Sequence, residues 1–244
     1  MDLKIYSLKT NKNKLKLRPL MKDHTIPAFA ESLLLVGASG SGKTTVLIRL
    51  LTSKQFYYDY FNFIFLFSVT AKLDDTFKLL KIPDRHTFTT EDEMINALEK
   101  IIKTQKEIVE SKGLHKSPKI ALVFEDLTSN KKLMKDPNFL LLWTAGRHLN
   151  LQIIACIHKY KALPRTQRLQ AMNIIYFRGS KSEVYQLVED FTPPGHTKKE
   201  FTNLVDFATN PDKNSKHNFL YIANKLPFKI RYRKNFDTIL TLNK

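Results

Sequence analysis

The sequence predicts an α/β fold: a mostly parallel central sheet flanked by helices, with a short C-terminal β-hairpin extension. Three observations predict it. Apolar runs of strand length alternate with segments of helical periodicity along most of the chain. One of these runs opens directly into a glycine-rich turn followed by a helix, and another ends in two consecutive acids.

The elements follow in order. Leu33–Val36 reads as a short buried strand. It leads into Gly37-Ala38-Ser39-Gly40-Ser41-Gly42-Lys43-Thr44-Thr45, after which Val46, Leu47, Ile48, Leu50 and Leu51 recur with helical spacing. Residues 60–68 form an aromatic strand centred on Phe63-Ile64-Phe65-Leu66-Phe67. Glu91–Ser111 is a long helix with Met94, Leu98, Ile101, Ile102 and Ile108 along one stripe. Residues 119–124 form a buried strand ending in Glu125-Asp126. Asn138–Leu149 is a helix that contains Trp143, the only tryptophan. Leu151–Ile157 and Asn173–Phe177 are further strands, and Val184–Phe191 is helical. Pro193-Pro194-Gly195 breaks the chain before a helix over Thr197–Ala208. Asn218–Ile222 and Phe228–Arg233 complete the hairpin. Residues 1–25 form a basic N-terminal segment, 26–194 the core, and 195–244 a C-terminal extension of the same domain.

Composition narrows the function. The chain has 244 residues, enough for one domain with an appendage. At 43% hydrophobic and 26% charged, it has the makings of a real core. A single cysteine, Cys156, excludes a disulfide scaffold and a four-cysteine zinc site. No apolar run approaches the roughly 20 residues of a membrane span, and residues 1–4 lack the apolar core of a signal peptide. The expectation is a soluble intracellular protein without a membrane partner. The formal net charge of +17 draws in polyanions and makes their binding salt-sensitive.

The turn at residues 37–44 matches G-x-x-x-x-G-K-[ST] in its required setting, a strand before and a helix after. Glycines let successive backbone N–H groups curl around a phosphate, and the helix N-terminus adds free donors and partial positive charge. Lys43 reaches the β- and γ-phosphates, and Thr44 offers a hydroxyl to Mg²⁺. The fold is thus expected to be that of a P-loop NTPase, with ATP and Mg²⁺ as ligands. A carboxylate at the tip of a neighbouring strand holds the metal. Order along the strand assigns Glu125 to the metal and Asp126 to the attacking water, and the reverse assignment stays open. His158 ends the Leu151–Ile157 strand, where a polar tip can touch the γ-phosphate or its water.

Together these residues resemble the poxvirus-type genome-packaging ATPases of nucleocytoplasmic large DNA viruses and virophages, within the FtsK–HerA superfamily of P-loop NTPases. The resemblance spans roughly Ile26 to Arg233. Its more specific carriers are residues 63–68, Phe124-Glu125-Asp126, Gly146-Arg147-His148-Leu149-Asn150, and the spacing of Tyr160, Pro164 and Arg168. Two positions depart from the family: His158 stands where glutamine is common, and Glu125 where the acidic pair often begins with aspartate.

The resemblance implies an ATP-driven motor that moves double-stranded DNA, without sequence specificity, into a preformed capsid. It also implies a homo-oligomeric ring, a pentamer or hexamer at a capsid vertex. Each ATP would be completed by a neighbour's arginine, with Arg147 the first candidate and Arg168 the second. The host cytoplasm or viral factory is the expected location, with the virion a second.

Basic clusters that could track DNA are Lys229, Arg231 and Arg233 on one strand face, Lys14, Lys16 and Arg18 on another, and the loop of Lys159, Lys161 and Arg165. A cellular-type DNA pump or helicase is the nearest competing reading. A nucleotide kinase would need an Arg-rich lid after the acidic strand, and none is seen. A GTP switch would need Asn-Lys-x-Asp, which is missing.

Overall fold

The computed structural model describes residues 17–127, 130–213 and 215–242. In chain order the elements are α1 (Pro19–Lys22), β1 (Leu33–Val36), α2 (Lys43–Thr52), β2 (Phe63–Phe67), β3 (Thr87–Phe88) and α3 (Glu91–Lys112). They continue with β4 (Ile120–Phe124), α4 (Lys131–Lys135), α5 (Pro137–Ala145), β5 (Leu151–Ile157), α6 (Arg165–Gln170), β6 (Asn173–Phe177) and α7 (Lys181–Phe191). The chain closes with α8 (Lys198–Thr209), β7 (Phe219–Ala223), α9 (Phe228–Arg231), β8 (Tyr232–Lys234) and β9 (Thr238–Leu240).

One sheet organises the molecule. Its strand order is β3-β2-β4-β5-β1-β6-β7-β8-β9. Strands β1 to β6 are mutually parallel, while β7, β8 and β9 run antiparallel to their neighbours. The mostly parallel sheet flanked by helices is the fold the sequence predicts. Each residue of β1, β4, β5 and β6 is buried. That is why these strands read as continuous apolar runs rather than alternating ones: helices cover both faces of a parallel sheet.

On one face, Leu47, Leu50 and Leu51 of α2 pack on Leu33, Leu35, Cys156 and Ile175. On the other, Met94 and Leu98 of α3, Trp143 of α5, Leu187 of α7 and Phe201 of α8 pack with Leu34, Val36 and Phe124. The alternation along β1 thus divides its side chains between two cores. β1 lies between β5 and β6, and its chain must cross β5 and β4 to reach β2. The C-terminal ends of β1, β4, β5 and β6 therefore gather at one edge, with a crevice at the strand-order reversal.

Several elements differ from expectation, each for a local reason. The aromatic strand is shorter, because residues 57–61 turn inward as a cluster in which Tyr57, Tyr60 and Phe61 contact one another. The α5 helix stops at Ala145, and Gly146–Leu149 continues as a tighter 3₁₀ turn that ends on left-handed Asn150.

Phe228–Arg233 is not one strand. Pro227 opens the short helix α9, and pairing begins only at Tyr232. Its alternating basic face is lost with it. Arg233 is buried and donates to the Phe236 carbonyl (3.1 Å), while Arg231 donates to the Leu226 carbonyl (2.9 Å). The C-terminal extension is a three-strand meander of β7, β8 and β9 rather than a two-strand hairpin.

The N-terminal strand face fares similarly. Lys14, Leu15 and Lys16 lie outside the described residues, and Arg18 donates to the Phe56 carbonyl (2.6 Å) and to the Tyr58 carbonyl. Met21 is fully buried in the α2-side core.

Candidate nucleotide site

The turn after β1 is built for close backbone approach. Gly37 N donates to the Ile157 carbonyl (3.1 Å), which ties the turn to the tip of β5. A Cβ on Gly37 would stand 2.5 Å from Ser41 Oγ and 2.8 Å from Phe177 Cβ, so no side chain fits there. Gly42 has φ of 102°, a left-handed conformation that L side chains resist, and it caps α2 with no side-chain hydrogen bond to the first turn. The first N–H groups of a ten-residue helix thus face the turn without a capping side chain, the arrangement that receives anions.

Lys43 is buried at the base of this turn. Its Nζ donates to the carbonyls of Gly37 (2.7 Å) and Ala38 (3.0 Å) and lies 3.4 Å from His158 Nδ1. Burial pulls its pKa below the ordinary lysine value, against the opposing pull of the acids Glu125 and Asp126.

β4 delivers the two acids. Glu125 N donates to the Phe67 carbonyl (2.9 Å), which fixes the backbone just past the strand. Thr44 Oγ1 donates to Glu125 Oε1 at 3.1 Å, bringing together the two groups expected to hold a metal. Glu125 is buried, and that burial raises its pKa, while the Cys156 thiol, Thr44 and Lys43 hold it down. Its second oxygen, Oε2, is buried and makes no hydrogen bond of good geometry. A buried carboxylate with a spare acceptor beside a threonine hydroxyl fits a magnesium–triphosphate complex, because the ion would satisfy what the protein leaves unmet.

Asp126 diverges from Glu125 by a turn, not by strand pleat. β4 ends at Phe124, and Asp126 has φ of 50°. The turn brings Asp126 Oδ1 to 3.6 Å from His158 Nε2, longer than a hydrogen bond. His158 therefore bridges Lys43 and Asp126 from the tip of β5. Lys43, Thr44, Glu125, Asp126 and His158, read from three separate stretches of sequence, meet at one sheet edge.

The two arginines part company. Arg147 is exposed, in the 3₁₀ turn before β5, and its Nε donates to His148 Nε2 (3.3 Å). It stands at the opposite end of a seven-residue strand from the P-loop, roughly 23 Å away at the strand rise of ~3.3 Å per residue. It is exposed and far from the P-loop of its own chain.

Arg168 is buried, and its Nε and Nη2 donate to Asp190 Oδ2 at 3.2 and 3.0 Å. Its Nη1 donates to the Leu163 carbonyl (2.9 Å) and its guanidinium covers the Tyr160 ring. Asp190 also accepts from Tyr160 Oη and Arg165 Nε, both at 3.0 Å. The Tyr160–Pro164–Arg168 spacing thus reads as a brace between α6 and α7, and Arg168 is withdrawn as a candidate for completing a neighbour's site.

Other residues reach the site without a sequence signal of their own. A cleft of about 630 Å³ beside the turn is lined by Gly37, Ser39, His158, Tyr176, Ser180 and Glu183. Arg178 is exposed just past β6, which pairs with β1. His217 lies against Gly42, where an added Cβ would meet His217 Cβ at 3.3 Å. Only the antiparallel return of β7 onto β6 brings His217 there. Arg178-Gly179-Ser180 at the end of an apolar strand could have been noticed; His217 could not. Among the described residues no cluster of three or more His, Cys, Asp or Glu could hold a metal, and no helix is long and apolar enough to cross a membrane.

Comparison with known proteins agrees with this geometry. The genome packaging NTPase B204 from Sulfolobus turreted icosahedral virus 2, solved with ATP-gammaS, has a similar structure: TM-score 0.54, 15% identity, covering 87% of this chain and 98% of that one. B204 of Sulfolobus turreted icosahedral virus, described as a DNA-packaging ATPase, gives 0.55 at 14% identity, over 80% and 93%. EssC (ATPases 2 and 3) from Geobacillus thermodenitrificans gives 0.53 at 16% identity over 80% of this chain, which spans 38% of the EssC chain. These likenesses establish the P-loop ATPase fold. No curated protein sequence matches the chain. The family model of the poxvirus A32 protein matches residues 24–236, and the chain therefore belongs to the poxvirus A32 protein family.

Proposed function

We propose that this protein is an ATP-driven DNA translocase that packages a double-stranded viral genome into a preformed capsid. The observation that carries the reading is the meeting of Lys43, Thr44, Glu125, Asp126 and His158 at one sheet edge in a chain of this family. The similarity to packaging NTPases of archaeal viruses supports it.

The turn's N–H groups and the α2 N-terminus bind the phosphates. Lys43 exchanges its carbonyl partners for β- and γ-phosphate oxygens. Mg²⁺, when bound, neutralises charge on the β- and γ-phosphates, and Thr44 and Glu125 are the residues that would hold it. Asp126 orients the attacking water and accepts its proton, and His158 fixes Asp126 relative to the γ-phosphate. His158 turns Nδ1 toward Lys43 and Nε2 toward Asp126, a two-ended contact that a glutamine amide would also make. Arg147 supports the transition-state charge of a neighbour's ATP, which requires head-to-tail contacts and hence a closed ring, a pentamer or hexamer seated at a capsid vertex. Exposed Lys159, Lys161 and Arg165 beside the nucleotide edge contact the DNA backbone. The protein works in the host cytoplasm or viral factory and travels with the virion.

ATP turnover titrated with duplex DNA at two salt concentrations, alongside the mass of the assembly, tests the reading. Turnover should rise several-fold with DNA, lose that response at the higher salt, and coincide with a ring-sized mass. Turnover indifferent to DNA in a protein that stays monomeric with DNA and capsid overturns it.

A further inference from the structure

The strand order decides which way a bound nucleotide points. The groups facing the γ-phosphate end, Glu125, Asp126 and His158, come from β4 and β5, on one side of β1. A triphosphate lying across the P-loop with that end toward β4 and β5 sends its nucleoside toward β6 and β7. Helix α2, whose N-terminus receives the phosphates, packs on one face of the sheet, so the nucleoside leaves on that face.

His217 stands at that place. β7 runs antiparallel to β6, and the pairing of Phe177 with Phe219 brings the start of β7 to the P-loop edge. The Phe177 and Phe219 rings lie 5.4 Å apart and belong to the α2-side core. His217, two residues before Phe219, is on this side too. A Cβ on Gly42 would lie 3.3 Å from His217 Cβ and 3.5 Å from its Cγ. The imidazole thus sits beside the first turn of α2, exposed to solvent.

The ring is exposed but its mount is fixed. His217 N donates to Ser215 Oγ (3.0 Å). The next residue, Asn218, is buried, and its Nδ2 donates to the Asn210 carbonyl (3.0 Å) and to Asp212 Oδ2 (2.9 Å). Asn218 Oδ1 accepts from Asn235 Nδ2 (3.1 Å). A flat ring on a hydrogen-bonded anchor loses little freedom when a base settles on it. Stacking accepts any base, since each has a π face, and a purine offers more area than a pyrimidine.

We propose that the nucleobase stacks on His217, which thereby sets affinity for the nucleoside half of the ligand and favours purines. The assignment rests on the nucleotide reading above and deepens it. Lys43, Thr44 and the two acids recognise only the triphosphate and its metal, and none of them tells one base from another.

The test is calorimetric titration of the full chain, with Mg²⁺, against ATP, CTP and inorganic tripolyphosphate. The parent should bind ATP at least about fivefold more tightly than CTP. His217→Ala should weaken ATP at least about fivefold, bring ATP and CTP together, and leave tripolyphosphate affinity as in the parent. His217→Phe, which keeps a flat ring, should bind ATP as the parent does. Equal losses for ATP and tripolyphosphate would mean that His217 only shapes the turn at Gly42. Unchanged ATP affinity in His217→Ala would put the base elsewhere, such as the cleft beside Tyr176 and Ser180. Either outcome overturns the assignment alone, with tripolyphosphate still bound by the parent. A parent that binds neither ATP nor tripolyphosphate overturns the nucleotide reading and the assignment with it.

Discussion

At the scale of single residues, Glu125 is where stability and function pull apart. Folding raises its carboxyl pKa above the ordinary value of 4.5, chiefly through burial. The folded state therefore favours the protonated acid. That contribution is present below the unfolded value and is lost as pH rises through the folded one. In the nucleotide-free protein, Glu125→Gln should remove this loss, so the variant melts a few degrees above the parent at pH 7–8 and the difference vanishes near pH 4. Its magnesium-dependent turnover should fall at least 100-fold. Thermal melting across pH, with turnover at each point, checks both signs.

The two arginines give an opposite pair of outcomes. Arg168→Ala leaves Asp190 buried with fewer donors and should cost about 3 kcal/mol in denaturant unfolding. Arg147→Ala should cost under about 0.5 kcal/mol, as exposed positions do. It should also abolish turnover in homogeneous assemblies, and recover it in mixed ones whose other subunits carry Arg147 but a Lys43→Ala site. A stable Arg168→Ala chain, or the lack of recovery for Arg147→Ala, would reverse these assignments.

At the scale of elements, the P-loop and α2 act as one unit because Gly42 both ends the turn and caps the helix. Gly42→Ala would place a Cβ at 3.3 Å from His217 Cβ on a backbone with φ of 102°. The strain of ~1–2 kcal/mol that a side chain meets in the left-handed region would be relieved by rotating the first turn of α2. Nucleotide affinity should drop at least tenfold while the far-UV spectrum is kept, measurable by titration with a fluorescent ATP analogue.

This unit was fully legible, since its glycines, lysine and flanking apolar runs are adjacent in sequence. Helix α3 was legible for the same reason: its stripe is periodic, and Thr90 with Glu93 forms a complete capping box at its start. The α9 segment was not. Phe228–Arg233 alternates as a strand would, yet Pro227 and the pairing partner available to Tyr232 decide the outcome. Alternation records which faces could differ, not which hydrogen bonds a neighbour offers.

At the scale of the whole molecule, a net charge of +17 is carried by a surface whose basic residues are partly committed internally. Arg18, Arg168 and Arg233 all spend their donors on backbone carbonyls or a buried carboxylate. The DNA response expected in the turnover assay should therefore scale with exposed Lys159 and Lys161, and with Arg165 only through the guanidinium nitrogens that its Nε bond to Asp190 leaves over, each phosphate contact contributing about −0.9 to the salt slope. One nine-strand sheet carries the P-loop crevice at its central strand β1 and an apolar groove beside α3 at its β3–β2 end, with different chemistry at each.

The sequence alone determined the nucleotide chemistry. A phosphate cradle needs contiguous residues, and a buried parallel sheet must be written as apolar runs. What only the tertiary structure decided was which charged side chains are free to act. Asp190 claimed Arg168, a left-handed turn carried Asp126 to His158, and an antiparallel return brought His217 to the P-loop. Each of these depends on a partner distant in the chain, and pairing between distant residues leaves no periodic trace in the sequence.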